Sequence, residues 1–348
     1  MKVKFFSTIL FFLFVIEFAS GQVPGTAIIN NALFAKFTMS VTVNSTSSIT
    51  FNINAVGGVG QITEVGVVYG IAKGLTKEST LCKPSASTPT FGSRIATITY
   101  SGSTSTSLNV SSTETANSQG TTTFYVAPYY AKLYAIKNGV TYYGPEIEFL
   151  PNWPTVPENG TGKTWCKANL GALSVATSST DYDSYGFLYQ WGRGTDGHQF
   201  RSSSTTTTLS SGDNPGNSSF IINSSTGNWR NPANNSLWAG VSGTNNPCPS
   251  GWRIPTKAEW YLFMRDNSGN NTQTIRESSA IGSVLKLPSS QGRHRNGGAV
   301  GTTDTNHLYY MNNSTTGGPW SINFHSGGWG EGGSGAEAYG AAVRCIQD

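Results

Sequence analysis

Asn245-Asn246-Pro247-Cys248-Pro249-Ser250-Gly251-Trp252-Arg253-Ile254-Pro255-Thr256-Lys257-Ala258-Glu259-Trp260 reads as the start of a stapled helix. Thr256 stands three residues before Glu259. At that spacing a hydroxyl caps the N3 amide while the carboxylate reaches back to the cap's own N–H. Pro255 at N′ and Trp260 at N4 are placed to close a hydrophobic staple. Trp260, Phe263 and Met264 recur at i, i+3, i+4, and Asp266-Asn267-Ser268-Gly269 is expected to end the helix. An apolar helix face needs a core to bury it, and the Trp252 and Trp260 rings supply about 150–250 Å² each for that purpose.

Working outward, the 348-residue chain is too long for one small domain and suits two. Only 11% of its residues are charged, 12% are aromatic and 41 are glycine. The surface must therefore rest on Ser, Thr and Asn rather than on ion pairs. The net charge of +4 is spread out, with no basic run interleaved with aromatics, so no nucleic-acid partner is expected. Residues 1–21 carry Lys2 and Lys4, an apolar run from Phe5 to Ile16, and Ala19-Ser20-Gly21. That is the pattern of a signal peptide cleaved after Gly21. The run is shorter than the roughly 20 residues a span needs, and the rest of the chain has no hydrophobic span. The protein is expected to be secreted or held at the cell surface and not membrane-spanning.

After a short polar segment, 22–36, the region 37–150 alternates as half-buried strands do: Ser40–Val43, Ile49–Ile53, Val65–Tyr69, Ile95–Tyr100, Ser107–Val110, Thr121–Ile136 and Thr141–Phe149. Lys137-Asn138-Gly139 is a hairpin turn signal. Short strands without helical period imply an all-β sandwich. Glu64–Tyr69, Tyr129–Ala135 and Tyr142–Phe149 resemble the closing strands of fibronectin type III-like modules, a relative of the immunoglobulin-like sandwich; the tyrosines are expected in its core. Pro151-Asn152-Trp153-Pro154-Thr155-Val156-Pro157 has three prolines in seven residues, so 151–159 is expected to be an extended, semi-rigid linker.

The second half contains Trp165-Cys166-Lys167-Ala168-Asn169-Leu170-Gly171, then Leu188-Tyr189-Gln190-Trp191-Gly192-Arg193, the opening stretch, and Val343-Arg344-Cys345 near the end. A Ser/Thr/Gly/Asn-rich insert spans Ser202–Gly227. These blocks, in this order, resemble the Fibrobacter succinogenes major paralogous domain, a family of secreted proteins abundant in Bacteroidetes and Fibrobacteres, over residues 160–348. Cys166 departs from it, since the family usually has methionine or another large apolar residue there. The family has no established activity. Gly251-Trp252-Arg253, Pro255-Thr256 and Glu259-Trp260 are shared in outline with formylglycine-generating enzymes and other C-type-lectin-like domains. The resemblance therefore implies an α+β C-type-lectin-like domain in which a terminal strand returns near the domain's start.

That implied strand carries Cys345, and a structural Cys248–Cys345 disulfide is expected to tie it to the helix start. Cys82 and Cys166 fall in different expected domains and are not expected to pair with each other. No nucleophile elbow, H-E-x-x-H or phosphate loop occurs, and Asp196, Glu259, Asp304 and Glu331 are too scattered to pair as glycosidase carboxylates. His198, His294, His307 and His325 lack metal-ligand spacing. No cofactor, no metal and no catalytic residue is expected. The Gly-rich run 297–340 holds Tyr309, Tyr310, Trp320, His325, Trp329 and Glu331, and aromatics on pliant loops suit sugar rings or a partner surface. Trp329, His325, Glu331 and Tyr310 are the candidate ligand-binding residues, with Trp329 foremost and Trp320, Tyr309 and Tyr310 also suited to a core. The expected function is a non-catalytic adhesion or binding protein recognising a glycan or a surface protein. The competing readings are a structural subunit of an extracellular assembly and an enzyme of the formylglycine-generating type.

Overall fold

The computed structural model describes residues 26–29, 36–56, 62–77, 94–98, 107–119, 121–137, 139–264, 280–301, 308–313, 321–325, 328–332 and 337–348. The fold is mostly β-sheet, with a single α-helix among the described residues. In the first half, β1 (Thr26–Ile29), β2 (Lys36–Ser45), β3 (Ser48–Val56) and β6 (Ser107–Thr115) form one antiparallel sheet in the order β1-β2-β3-β6. The second sheet has the order β5-β4-β7-β8, from β4 (Ile62–Gly70), β5 (Arg94–Ile98), β7 (Tyr129–Lys137) and β8 (Val140–Phe149). Alternate side chains are buried on β2 (Phe37, Met39, Val41) and β3 (Ile49, Phe51, Ile53), while β4 turns Val65, Val67 and Tyr69 to the same core and also buries Val68 on its other face. Period-2 alternation places each set on one face. The two faces meet where the Phe51 ring lies 5.1 Å from Tyr69 and 6.0 Å from Phe149. The β7–β8 hairpin closes at Lys137↔Val140, with Gly139 at φ +76° as the turn requires.

Within the entry segment, Thr26–Ile29 pairs with β2 from Thr26↔Ser40 to Ile29↔Phe37. One expectation for this half needs correction, since a strand does not fill 121–136: regular pairing starts at Tyr129, and the residues before it are drawn into a seam with the second half. There Val126 N–H donates to Ala172 O (2.7 Å) and Gly171 N–H to Val126 O (2.8 Å). The Asn152 amide donates to Phe124 O (2.7 Å) and Leu173 O (3.0 Å), so one side chain holds both halves.

The expected extended segment at 151–159 is built into the second half. Pro151 and Asn152 are buried, and Thr155–Glu158 forms β9, paired with β10 (Lys163–Cys166). Pro157 lacks an N–H and is confined to extended backbone, which an edge strand accommodates; β9 is the edge of the sheet β14-β19-β10-β9. In that sheet β14 is Trp252–Arg253 and β19 is Ile346–Gln347. One cluster of buried apolar residues runs from Phe37 to Cys345, across the seam.

Regular structure is sparse beyond β10. Short strands β11 (Tyr189–Gln190) and β18 (Gly340–Ala341) pair with each other, as do β12 (Thr205–Thr206) and β13 (Phe220–Ile221). A three-stranded sheet joins β15 (Leu308–Met311), β16 (Ser321–His325) and β17 (Gly328–Gly332). Helix α1 spans Lys257–Met264. Its capping box is formed: Glu259 N–H donates to Thr256 Oγ1 (3.1 Å) and Thr256 N–H to Glu259 Oε2 (2.8 Å). Trp260, Phe263 and Met264 are buried as their spacing predicts, while the expected stop at 266–269 lies outside the described residues. The terminal strand β19 runs beside β10, with Trp165 opposite Ile346. Cys248 and Cys345 are joined by a disulfide, with Cα atoms 5.9 Å apart. Cys166 is a buried free thiol; burial pushes its pKa up to about 11. Cys82 lies outside the described residues.

Candidate binding cavities

Gln190, Arg193, Asp196 and His198 form a buried cluster behind β11. The Gln190 amide donates to Ile221 O (2.7 Å) and Ala338 O (2.8 Å), while its Oε1 accepts from Arg193 Nη1 (2.8 Å). Arg193 also pairs with Asp196 (Nη2 to Oδ2, 2.7 Å). His198 Nε2 accepts Gln190 N–H (3.0 Å), so its proton sits on Nδ1, 2.6 Å from Asp196 Oδ1. Burial and the nearby Arg193 charge pull the His198 imidazole down to about 4 against the Asp196 carboxylate. Burial pushes the Asp196 carboxyl the other way, yet His198 and Arg193 hold it below the ordinary range. Both oxygens of Asp196 and both nitrogens of His198 are thus occupied, which leaves neither group free for acid–base work.

The described surface includes two cavities of different character. The first, about 200 Å³, lies at the seam. Lys73 and Tyr130 of the first half line one side, and Asp196, Asp213, Asn214 and Thr244 of the second half line the other. The Lys73 ammonium sits 5.3 Å from the centre of the Tyr130 ring. Asp213 spends Oδ1 on Arg230 (3.0 Å) and on the Asn234 amide (3.1 Å). Asn214 uses its carbonyl oxygen on Gly216 N–H (2.9 Å). Among the described residues this leaves Asp213 Oδ2, the Asn214 amide donors, the Thr244 hydroxyl and the Lys73 ammonium for a guest. Donors and acceptors mixed around a shallow polar hollow match a ligand that presents several hydroxyls.

The second cavity, about 260 Å³, is apolar and aromatic. Tyr125, Leu173, Phe187 and Phe200 wall it, Tyr182 stands at the mouth, and Arg201 lines one side. The Phe187 ring is fixed 5.0 Å from Tyr125 and 4.9 Å from Phe200. A Cβ at Gly171 would come within 2.1 Å of that ring, and the position has φ +83°, so only glycine fits.

The expected ligand residues are distributed differently. Tyr310 is a correction: it is wholly buried, its ring 5.4 Å from Trp260 and 6.3 Å from Phe324, because β15 turns it into the core under α1. His325 closes β16 opposite Gly328; Trp329 pairs with Phe324 and Glu331 with Ile322 on β17. The backbone thus brings His325, Trp329 and Glu331 onto one hairpin, and their side chains, like Trp320 and Tyr309, lie outside the described set. Among the described residues no group of three or more His, Cys, Asp or Glu could hold a metal ion, and no helix is long and apolar enough to cross a membrane. Lys73, Asp213, Asn214 and Thr244 were missed because they arrive from separate polar loops, none of which carries a local signature. Comparison with known protein families, curated proteins and solved structures gives no match.

Proposed function

We propose that this chain is a non-catalytic binding protein acting outside the cell, in which a fibronectin type III-like sandwich carries a C-type-lectin-like head and the seam between them receives a glycan. The carrying observation is the polar seam cavity, where Lys73, Asp213, Asn214 and Thr244 retain hydrogen-bonding capacity. A lectin-like head is supported by terminal strand β19 lying beside β10, by α1 beginning at the shared motif, and by the Cys248–Cys345 bridge between them. Binding is favoured over formylglycine-type catalysis because that chemistry needs reactive cysteines in an open groove. Here Cys345 is bonded to Cys248, and the Cys166 thiol is buried with a raised pKa.

A glycan array probed with the full chain tests this reading. Lys73→Ala and Thr244→Val alter exposed groups and should each weaken a positive signal about tenfold, the equivalent of one lost hydrogen bond of roughly 1.4 kcal/mol. If Trp329→Ala abolishes binding while both seam variants bind normally, the contact surface is the β16–β17 hairpin instead. An array with no signal would count against glycan recognition altogether.

A further inference from the structure

The aromatic cavity shares no lining residue with the seam cavity and has a different chemistry. Its distinguishing group is Arg201. Three guanidinium groups in this half bind only neutral oxygens among the described residues. Arg293 donates to Gly298 O (2.8 Å), Phe200 O (3.2 Å) and Ser203 O (2.6 Å). Arg344 donates to Asn169 Oδ1 (2.6 Å), Cys166 O (3.1 Å) and Lys286 O (3.1 Å). Every nitrogen of these two has an acceptor, and neither lines a described cavity. Arg201 donates through Nε to Gly186 O (2.9 Å) and through Nη2 to Ser290 O (2.6 Å), lies 5.4 Å over the Tyr185 ring, and its buried Nη1 has no acceptor among the described residues. No described carboxylate pairs with it, whereas Arg193, Arg230 and Arg253 each have one.

A half-buried cation without a counter-ion lowers the stability of its own charged state, and burial pulls the Arg201 pKa down to about 10. The cavity beside it offers rings and an aliphatic wall but little else to a polar guest. A sugar would leave most of its hydroxyls unpaired there, at a cost for each. A flat apolar ring would lie against the contacting Phe187 and Phe200 rings and meet Tyr182, a residue that is 68% exposed and whose ring rests 5.5 Å from Tyr185. Asp183 also lines the cavity and disfavours negative charge on the guest beyond the one that faces Arg201.

We propose that this cavity is a second binding site, one that takes an aromatic monocarboxylate with its ring among Tyr125, Phe187 and Phe200 and its carboxylate facing the Arg201 charge. The probes are phenylacetate, phenylacetamide and glucuronate, titrated calorimetrically into the full chain. Phenylacetate should bind, phenylacetamide about tenfold more weakly, and glucuronate more weakly still. Because Arg201 is caged by carbonyls, replacing it risks the fold. Ser202→Asp instead sets a negative charge on the exposed rim and should weaken phenylacetate about tenfold while leaving phenylacetamide unchanged. Tyr182→Ala should weaken both. Equal affinity for acid and amide would remove Arg201 from the site, and a preference for glucuronate would overturn the aromatic guest. No heat with phenylacetate, or wild-type affinity in both variants, would overturn the site itself.

Discussion

The two halves solve the same problem, satisfying buried backbone groups, by opposite means. In the sandwich, ladders between long strands pair the N–H and C=O groups, and the side chains that meet inside are apolar. In the second half strands of two to five residues cannot do this, so side chains of arginine, tryptophan and asparagine donate to loop carbonyls. Trp191 Nε1 reaches Asn312 O (2.9 Å), Trp229 Nε1 reaches Trp191 O (2.7 Å), and Trp238 Nε1 reaches Asn245 O (3.0 Å). Arg344 alone supplies two such bonds, to Cys166 O and Lys286 O, and a third to the Asn169 side chain. In this half these side chains are the substitute for a β-ladder.

Removing the disulfide is the harshest way to break this comparison. Cys248 and Cys345 are 97 positions apart, and chain entropy assigns a loop of that size about 4–5 kcal/mol. If the seam couples the halves, Cys248→Ser with Cys345→Ser should lower the urea midpoint of a single transition. Two separate transitions, with the sandwich unaffected, would show that the shared core does not make them cooperate.

Next in size is a paired test of the two kinds of core. Phe51→Ala should cost about 3–5 kcal/mol as a cavity in the sandwich. Arg344→Met should cost a similar amount, about 3–5 kcal/mol, because Asn169 Oδ1 and the Cys166 and Lys286 carbonyls lose their donor while buried. Chemical denaturation measures both. An Arg344→Met protein of wild-type stability would mean that the polar core is replaceable by simple apolar packing.

A pH test is smaller and specific to the second half. Glu337 is buried, and burial pushes its carboxyl up to about 7 despite the opposing Arg230 charge. A raised folded-state pKa means the stability it contributes is complete below about pH 4.5 and is lost as pH rises through 7. Glu337→Gln should therefore gain on the order of 1–2 kcal/mol over wild type at pH 8 and nothing near pH 4.5. An equal gain at both values would assign the effect to packing instead.

How much could be read in advance follows the same division. The sandwich was legible wherever alternation ran for five residues or more, as in Ile49–Ile53, Val65–Tyr69 and Thr141–Phe149. It failed at Thr26–Ile29, too short to show a period, and at 121–128, where contacts with distant Gly171 and Ala172 override local preference. In the second half only α1 and the bridge were legible, the first because a capping box is a local pattern of four residues. The roles of Arg193, Arg201 and Arg344 depend on carbonyls remote in sequence, and both cavities are assembled from dispersed loops. Tyr310 looked like a contact residue because of its Gly-rich neighbours, although its strand faces inward.

The smallest expected effect tests that legible element. Thr256 Oγ1 accepts the Glu259 N–H and lies 3.0 Å from Glu259 Oε2. Glu259 is also held by Arg253 through two bonds of 2.7 Å, and Arg253 in turn by Asp348 (2.9 Å). Thr256→Ala removes one cap bond but leaves that ion pair and the Thr256 backbone bond to Glu259 intact, so it should cost only about 1 kcal/mol. Thr256→Ser keeps the hydroxyl and should lie within a few tenths of a kcal/mol of wild type. Glu259→Ala should exceed both, because the Arg253 guanidinium then loses its buried partner. If Thr256→Ala instead matches Glu259→Ala, the hydroxyl orients the carboxylate toward Arg253, and the cap belongs to the same long-range polar core as Arg344 rather than to the helix alone.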